Sequence, residues 1–280
     1  MTREQSPTVR RRRLASELRR LRERAGLTIE EVGEKLECSA SKVSRMETGH
    51  VGVNPRDARD MLELYGVDGE QRDTLVTLAR QAKQKGWWHA YNDVFTGALV
   101  GLEQEAVALR AFQALLVPAL LQTREYAFAT LKGIRPDAED AEIERHVDGR
   151  MERQKLLWGN DPPRYWAVMD EAVLHREVGG KGVRDRQLKY LLEAVEMPHV
   201  NLQVLPFSAG EHCGLEGPFL ILRFADKADT DVVYVENTMS AVYLEKQDDV
   251  DRYGLMFEHL IASALPQDES LRLIESFSKG

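Results

Sequence analysis

The sequence predicts an α+β protein with a small all-helical domain at its N-terminus. Apolar residues recur at helical spacing through about the first 160 residues, interrupted only by short turns. Beyond Pro162 and Pro163 they alternate or run continuously, as they do in strands. We therefore expect residues 1–82 to form a five-helix domain and residues 83–280 to form a larger domain of helices and a β-sheet.

The first predicted helix is strongly basic. Residues 10–24 contain eight arginines and two glutamates, and Arg10 to Arg13 are predicted to form a basic arm before the helix, with a solvated tail as the alternative. The apolar stripe of the helix comprises Leu14, Leu18, Leu21 and Ala25. Residues 1–60 carry a net charge of +4 and the other 220 residues a net charge of −12. DNA phosphates attract the first part and repel the second, so we expect any duplex contact in the N-terminal domain.

Two short helices joined by a tight turn are predicted between residues 27 and 49. Thr28 is expected to cap the first helix, because Glu31 three residues later completes a capping box. Val32 and Leu36 repeat at four-residue spacing and are expected to face a core. Gly33 lies where the two helices must approach closely.

Ser39 is expected to cap the second helix of the pair. Val43 and Met46 are predicted to be buried, so short side chains lie near the start of the outer face and Arg45 follows one turn later. A helix in the major groove needs this arrangement, because its backbone must approach while a long donor reaches the base edges. A merely solvated helix face is the alternative. The candidate DNA-binding residues are Arg12, Arg13, Thr28, Ser39, Ala40, Ser41, Lys42, Ser44, Arg45 and Thr48.

Two more helices complete the predicted N-terminal domain. Asn54 and Pro55 signal the start of the fourth helix, and the fifth is expected from about Gly69 to Lys85. Trp87 and Trp88 follow at the predicted domain boundary. Packing between domains is the expected role of these rings, and an exposed recognition patch is the alternative.

The larger domain is predicted to begin with helices and to end with a sheet covered by helices. Residues 95–131 are expected to be helical with a break at Pro118, and a further helix is expected over residues 138–157. The predicted strands are Tyr165 to Met169, Asn201 to Leu205, Phe219 to Phe224, Val232 to Glu236 and Ala241 to Leu244. A helix near residues 183–195 predicts a parallel pairing of the first two strands, and short connections predict antiparallel pairing of the rest. Two closing helices are expected over residues 250–264 and 268–278.

The N-terminal segment resembles the Cro and phage-repressor type of helix-turn-helix domain, also called the xenobiotic response element (XRE) family. The matching residues are Leu27-Thr28, Glu31-Val32-Gly33, Leu36, Ser39 and Ser41-Lys42-Val43-Ser44-Arg45-Met46-Glu47-Thr48-Gly49. The resemblance implies that the helix from Ser39 to Thr48 enters the major groove and that Gly49 ends it in a left-handed conformation. Many relatives carry Gln where this chain has Ile29, so Thr28 or the helix N-terminus is expected to contact the phosphate instead.

The rest of the chain is similar to the C-terminal domain of the WhiJ-like bacterial regulators. The matching phrases include Gly86-Trp87-Trp88, Leu102-Glu103, Val117-Pro118, Leu120 to Thr123, Glu125-Tyr126, Arg150, Arg153-Gln154, Leu156-Leu157, Asp170-Glu171-Ala172, Val204-Leu205-Pro206, Gly217-Pro218-Phe219 and Tyr234-Val235-Glu236. Ala119 departs from the usual Gly of relatives. The resemblance implies a repressor or an antitoxin-like regulator, often encoded beside a small partner protein.

Other classes of function find little support in the sequence. Glu211-His212-Cys213 lacks the second ligand pair of a metal site, and Gly179 to Gly182 lacks the order of a phosphate-binding loop. We therefore expect no enzyme activity, no catalytic residues, no metal and no cofactor. Glu103, Gln122 and Glu236 are candidate pocket residues, with structural hydrogen bonding as the alternative.

The two cysteines, Cys38 and Cys213, do not suggest a disulfide framework, and no apolar run predicts a membrane span. The expected protein is a cytoplasmic DNA-binding transcriptional regulator, with a repressor role favoured. Its expected partners are double-stranded DNA, a second copy of the chain in a homodimer and a small protein encoded nearby. An antitoxin whose main role is to neutralise that small protein is the alternative.

Overall fold

The computed structural model describes residues 7–83, 86–95, 98–226, 229–237 and 240–279, with side chains from Arg10 to Ser278 within those ranges. The chain divides into two compact units. The first takes in the described residues up to Asn92 together with the segment that ends at Glu105, and the second comprises the remainder. The boundary predicted at residues 82 and 83 falls between the fifth and sixth helices of the first unit and stays a prediction.

The regular elements described in the first unit are all helices. Its helices are α1 (Pro7–Arg24), α2 (Ile29–Lys35), α3 (Ala40–Glu47), α4 (Pro55–Leu64), α5 (Gly69–Gln81) and α6 (Leu99–Glu105). The first five match the predicted helices, and α6 packs against α1. One core joins α1 to α5 through buried apolar residues that include Leu14, Leu18, Val32, Val43, Met46, Met61 and Leu62.

Three details of the first unit differ from the sequence-based prediction. The arginines at 10–13 belong to α1 and do not form an arm, and Arg10 is only 6% exposed. Ala25 is exposed because the helix has already ended at Arg24. Helix α5 ends at Gln81, whereas its predicted end, Lys85, lies outside the described residues.

The second unit is built on a mixed six-stranded sheet. Its strands are β1 (Ala108–Gln113), β2 (Arg164–Asp170), β3 (Val200–Leu205), β4 (Phe219–Arg223), β5 (Val232–Glu236) and β6 (Ala241–Leu244), in the spatial order β3-β2-β1-β4-β5-β6. Its helices are α7 (Arg124–Ile134), α8 (Asp140–Gln154), α9 (Ala172–His175), α10 (Lys181–Ala194), α11 (Gln247–Ser263) and α12 (Gln267–Lys279). The predicted α+β class is confirmed.

The connection of β2 through α10 to β3 is the predicted parallel unit. Strands β4, β5 and β6 pair antiparallel, also as predicted. The middle of each connection between them, residues 227–228 and 238–239, lies outside the described residues. The closing helices α11 and α12 lie where the sequence placed them.

Strand β1 corrects the prediction that residues 95–131 are helical. It lies in the middle of the sheet, parallel to β2 and antiparallel to β4. Leu109 and Phe112 are fully buried and three residues apart, which matches one face of a helix equally well. A central strand is covered on both faces and so lacks alternation, and periodicity alone cannot distinguish such a segment from a helix.

Candidate nucleic-acid interface

Helix α2 begins at the capping box that the sequence predicts. The backbone N–H of Glu31 donates to Oγ1 of Thr28 at 3.2 Å, and the N–H of Thr28 donates to Oε2 of Glu31 at 2.7 Å. The backbone N–H and the hydroxyl of Thr28 both donate to the Glu31 carboxylate, and these two bonds lower the pKa of that carboxyl because they stabilise its charged form. The start of the first helix of the pair is therefore fixed by contacts within four residues.

The turn between α2 and α3 depends on Gly33. The backbone N–H of Cys38 donates to the carbonyl oxygen of Gly33 at 2.8 Å. A Cβ atom on Gly33 would lie 2.9 Å from the carbonyl oxygen of Cys38 and 3.1 Å from the backbone nitrogen of Ala40. The close approach expected at Gly33 is confirmed, and the backbone of the turn is the neighbour that a side chain would strike.

Helix α3 presents a polar outer face over an apolar inner one. Ser39 caps it by accepting the backbone N–H of Lys42 at 3.2 Å, and Val43 and Met46 are buried as predicted. Gly49 ends it with a φ of 72°, the left-handed conformation that the resemblance implies. The exposed candidate residues of this segment are Ser39, Ser41, Lys42, Arg45 and Thr48, and the half-buried ones are Ala40 and Ser44.

The three polar tips on this face differ in their partners. Arg45 is exposed, and among the described residues its side chain forms no hydrogen bond or ion pair. Nζ of Lys42 lies 3.3 Å from Oδ2 of Asp57 in α4. The hydroxyl of Thr48 donates to the carbonyl oxygen of Ser44 at 2.8 Å and lies 2.9 Å from Nδ1 of His50. Of these three, Arg45 is the donor most available to an incoming ligand.

A buried ionic network holds the far end of α3 in place. Nε of Arg22, near the end of α1, lies 2.9 and 3.0 Å from the two carboxylate oxygens of Glu47. Arg22 also donates to the carbonyl oxygen of Leu27 at 2.8 Å, and the hydroxyl of Tyr65 donates to Glu47 at 3.4 Å. The hydrogen bond to Glu47 raises the pKa of Arg22, and burial raises the pKa of Tyr65.

Sequence reasoning missed this network. In the sequence Arg22 is only one arginine of a basic helix, and Glu47 is only part of the motif that ends α3. An acidic residue between buried Met46 and the helix stop was the signal that could have found it, because an unpaired carboxylate is rarely placed in a core.

The candidate arginines of α1 are less free than an arm would be. Arg12 and Arg13 are half-buried. A Cβ on Gly49 would lie 3.9 Å from Cγ of Arg12, so this arginine packs beside the end of α3. Among the other arginines of α1, Arg19 and Arg20 are paired with glutamates of their own helix at 2.9 and 2.7 Å.

A metal site or a reactive thiol would indicate chemistry of another kind. Among the described residues, no group of three or more His, Cys, Asp and Glu side chains is placed to hold a metal ion. The half-buried Cys213 donates its thiol to the carbonyl oxygen of Met256 at 3.3 Å, and burial raises its pKa. None of the helices in the described ranges has the length and apolar character needed to cross a membrane.

Comparison with known families identifies both parts of the chain. A family model described as a helix-turn-helix domain matches residues 13–75, which include the whole pair α2 and α3. This makes the first unit the DNA-binding domain of a transcriptional regulator. No curated protein and no solved structure gave a significant match. A second family model, described as a domain of unknown function (DUF5753), matches residues 96–276, well over half of the chain. The chain therefore belongs to the DUF5753 family.

Proposed function

We propose that this protein is a sequence-specific transcriptional repressor that places α3 in the major groove of its operator. The proposal rests chiefly on the outer face of α3, where Arg45 is exposed without a protein partner while the Arg22–Glu47 pair fixes the helix from behind. Direct readout of a base edge requires a fixed helix with a free guanidinium, because Arg donates hydrogen bonds to the O6 and N7 atoms of guanine. The helix-turn-helix is of the Cro and phage-repressor type in this proposal.

Each candidate residue has a role that follows from its position. Arg45 reads a base edge, and Ser41 contacts a base or a thymine methyl. Lys42, Thr28 and the N-terminus of α2 contact phosphates. Ser39, Ala40, Ser44 and Thr48 line the same face and shape the contact, and Arg12 and Arg13 add positive charge at the end of α3.

We also propose that the repressor is a homodimer. A single small reader covers few base pairs, and two readers on half-sites about one helical turn apart supply the missing affinity and specificity. In this proposal the protein acts in the cytoplasm without catalysis or a cofactor.

Binding of the full chain to its own promoter fragment tests the DNA proposal. We expect specific retention of that fragment at two salt concentrations, lost in Arg45→Ala and weakened in Ser41→Ala. Arg80→Ala is the matched control, because Arg80 is an exposed arginine of the same unit on α5. Equal affinity for a random duplex, or unchanged retention by Arg45→Ala, would contradict the proposal.

An antitoxin-like role is the alternative that the family resemblance implies. In that case the main function is to neutralise a small protein encoded nearby, and DNA binding only regulates the chain's own synthesis. Co-expression with the adjacent small reading frame separates the two roles. A stable complex with restored growth would favour the antitoxin, whereas normal growth without a complex would favour the repressor.

A further inference from the structure

A cluster of polar side chains, two of them buried, lies in the second unit, outside the helix-turn-helix. Its members come from three separate parts of the sequence. Gln122 lies just before α7. The last turns of α8 contribute Arg150, Arg153 and Gln154, and β5 contributes Tyr234 and Glu236. All three segments also carry the resemblance to the WhiJ-like regulators, but DNA binding gives none of them a role. We call these six residues the α8 polar cluster.

Two glutamine side chains of the α8 polar cluster are buried and held by hydrogen bonds to the backbone. Gln122 and Gln154 are 3% and 6% exposed. The side-chain nitrogen of Gln122 donates to the carbonyl oxygen of Val117 at 2.7 Å. Nε2 of Gln154 donates to the carbonyl oxygens of Ala119 and Gln122 at 2.8 and 2.7 Å. Because their nitrogens are committed to the backbone, the amide oxygen of Gln122 is held in a fixed direction.

That oxygen faces a cation whose charge is not compensated. A guanidinium nitrogen of Arg150 donates to Oε1 of Gln122, and among the described residues no carboxylate forms an ion pair with Arg150. The pKa of Arg150 is lowered to about 10, chiefly by burial and also by the positive charge of Arg153, whereas the negative charge of Glu236 raises it. A guanidinium has five N–H donors, and one amide oxygen satisfies few of them. Keeping such a charge partly removed from water is costly unless an anion pairs with it.

The side chains of the α8 polar cluster differ in their exposure to solvent. Arg153 and Tyr234 are half-buried, and Glu236 is exposed. Burial raises the pKa of Tyr234, whose side chain is hydrogen-bonded to Glu236. Arg150 is itself half-buried, so part of its side chain is open to solvent.

We propose that Arg150 and Arg153 form a binding site for a small molecule carrying an oxyanion, either a carboxylate or a phosphate. Arg150 can present several donors to an oxyanion, and Arg153, one helical turn further along α8, adds positive charge beside it. Charge-assisted bonds of this kind are stronger than neutral ones. Glu236 competes with the ligand for the positive charge. This inference goes beyond the DNA-binding function and does not depend on it.

Ligand-dependent stabilisation of the full chain tests the site. Inorganic phosphate and citrate serve as probes, and sodium chloride at matched ionic strength is the blank. We expect at least one probe to raise the melting temperature saturably, because a ligand that binds only the folded state stabilises it by mass action. A response to phosphate alone or to citrate alone identifies the preferred oxyanion.

Three variants and a control locate the effect. We expect Arg150→Gln and Arg153→Gln each to weaken probe binding by about tenfold or more. Glu236→Gln should tighten it, which a purely structural network would not predict. Arg252→Gln, at an exposed arginine on α11, is the matched control and should bind like the unchanged chain. If Arg150→Gln fails to fold, Arg153→Gln and Glu236→Gln still decide the question.

The proposal is overturned if neither probe stabilises the chain beyond the salt blank. It is equally overturned if Arg153→Gln and Glu236→Gln respond as Arg252→Gln does. Retention of the promoter fragment, measured in the same samples, reports separately on the first unit. Failure of this site therefore cannot be confused with failure of the repressor proposal.

Discussion

Arg22 and Glu47 form a buried ion pair that joins the end of α1 to the end of α3, 25 residues apart in the chain. The Glu47 side chain is 2% exposed and the Arg22 side chain 10%. The Glu47 carboxylate is nearly fully removed from water, and the guanidinium of Arg22 and the hydroxyl of Tyr65 replace the hydrogen bonds that water would give it. The pair thus links the stability of the first unit to the position of the helix that carries Arg45.

Removing one partner of this pair should destabilise the first unit strongly. We expect Glu47→Ala to cost about 3–5 kcal/mol, because it leaves Arg22 buried without its counterion. The measurement is amide hydrogen exchange of α3 in the full chain. Replacing both residues by apolar ones, as in the double variant Arg22→Met, Glu47→Leu, should cost much less. Glu17→Ala, which breaks a pair with Arg20 within α1, should have little effect, and an equal loss in that variant would contradict the interpretation.

Alanine at Gly33 should destabilise α2 although alanine normally favours helices. The added Cβ would lie 2.9 Å from the carbonyl oxygen of Cys38, so the turn must shift, and overpacking of this kind costs about 1–3 kcal/mol. Gly254→Ala in α11 is the control, because no neighbouring atom lies within 4 Å of its Cβ position. That substitution should stabilise by about 0.5–1 kcal/mol. Chemical denaturation of both variants measures the difference, and a stabilising Gly33→Ala would show that the turn tolerates a side chain.

Asp57→Asn should strengthen binding to DNA. Asp57 lies 3.3 Å from the ammonium of Lys42, and its carboxylate both competes with phosphate and repels it. If Lys42 then pairs with one more phosphate, the slope of log K against log salt concentration should steepen by about 0.9. Titration of the promoter fragment at several salt concentrations measures this slope. Asp73→Asn, at an exposed carboxylate on α5, is the control. An identical change in that variant would show that the effect comes from net charge and not from Lys42.

The capping box predicts a defined dependence of stability on pH. Bonds from Thr28 lower the pKa of Glu31 in the folded state, so its contribution is present above the ordinary pKa of about 4.3 and is lost as the pH falls through the folded value. The free energy of unfolding should therefore be larger for the unchanged chain than for Glu31→Gln near neutral pH, and this difference should shrink in acid. Glu30→Gln is the neighbouring control outside the capping box. A difference that grew in acid would reverse the assigned sign.

The helices of the first unit could be predicted closely because their signals are local. Thr28, Ser39 and Asn54 each satisfy backbone N–H groups two or three residues away, so the sequence contains both partners of every capping bond. Strands β2 to β6 were also predictable, since each is a β-branched or aromatic run between turn residues. The outer face of α3 followed from the same local periodicity.

Contacts between distant residues decided the rest. The segment of β1 became a strand only because β2 and β4 flank it, and its own residues allow a helix equally well. The sequence places Arg22 and Glu47 on two helices, and Gln122 and Arg150 in two other segments, without indicating that they meet. The sequence by itself determined where the helices of the first unit begin and which face of α3 is polar, because those signals act within one turn. The tertiary structure decided the centre of the sheet and the partners of Arg22 and Arg150, because burial and pairing depend on chain segments that are close only after folding.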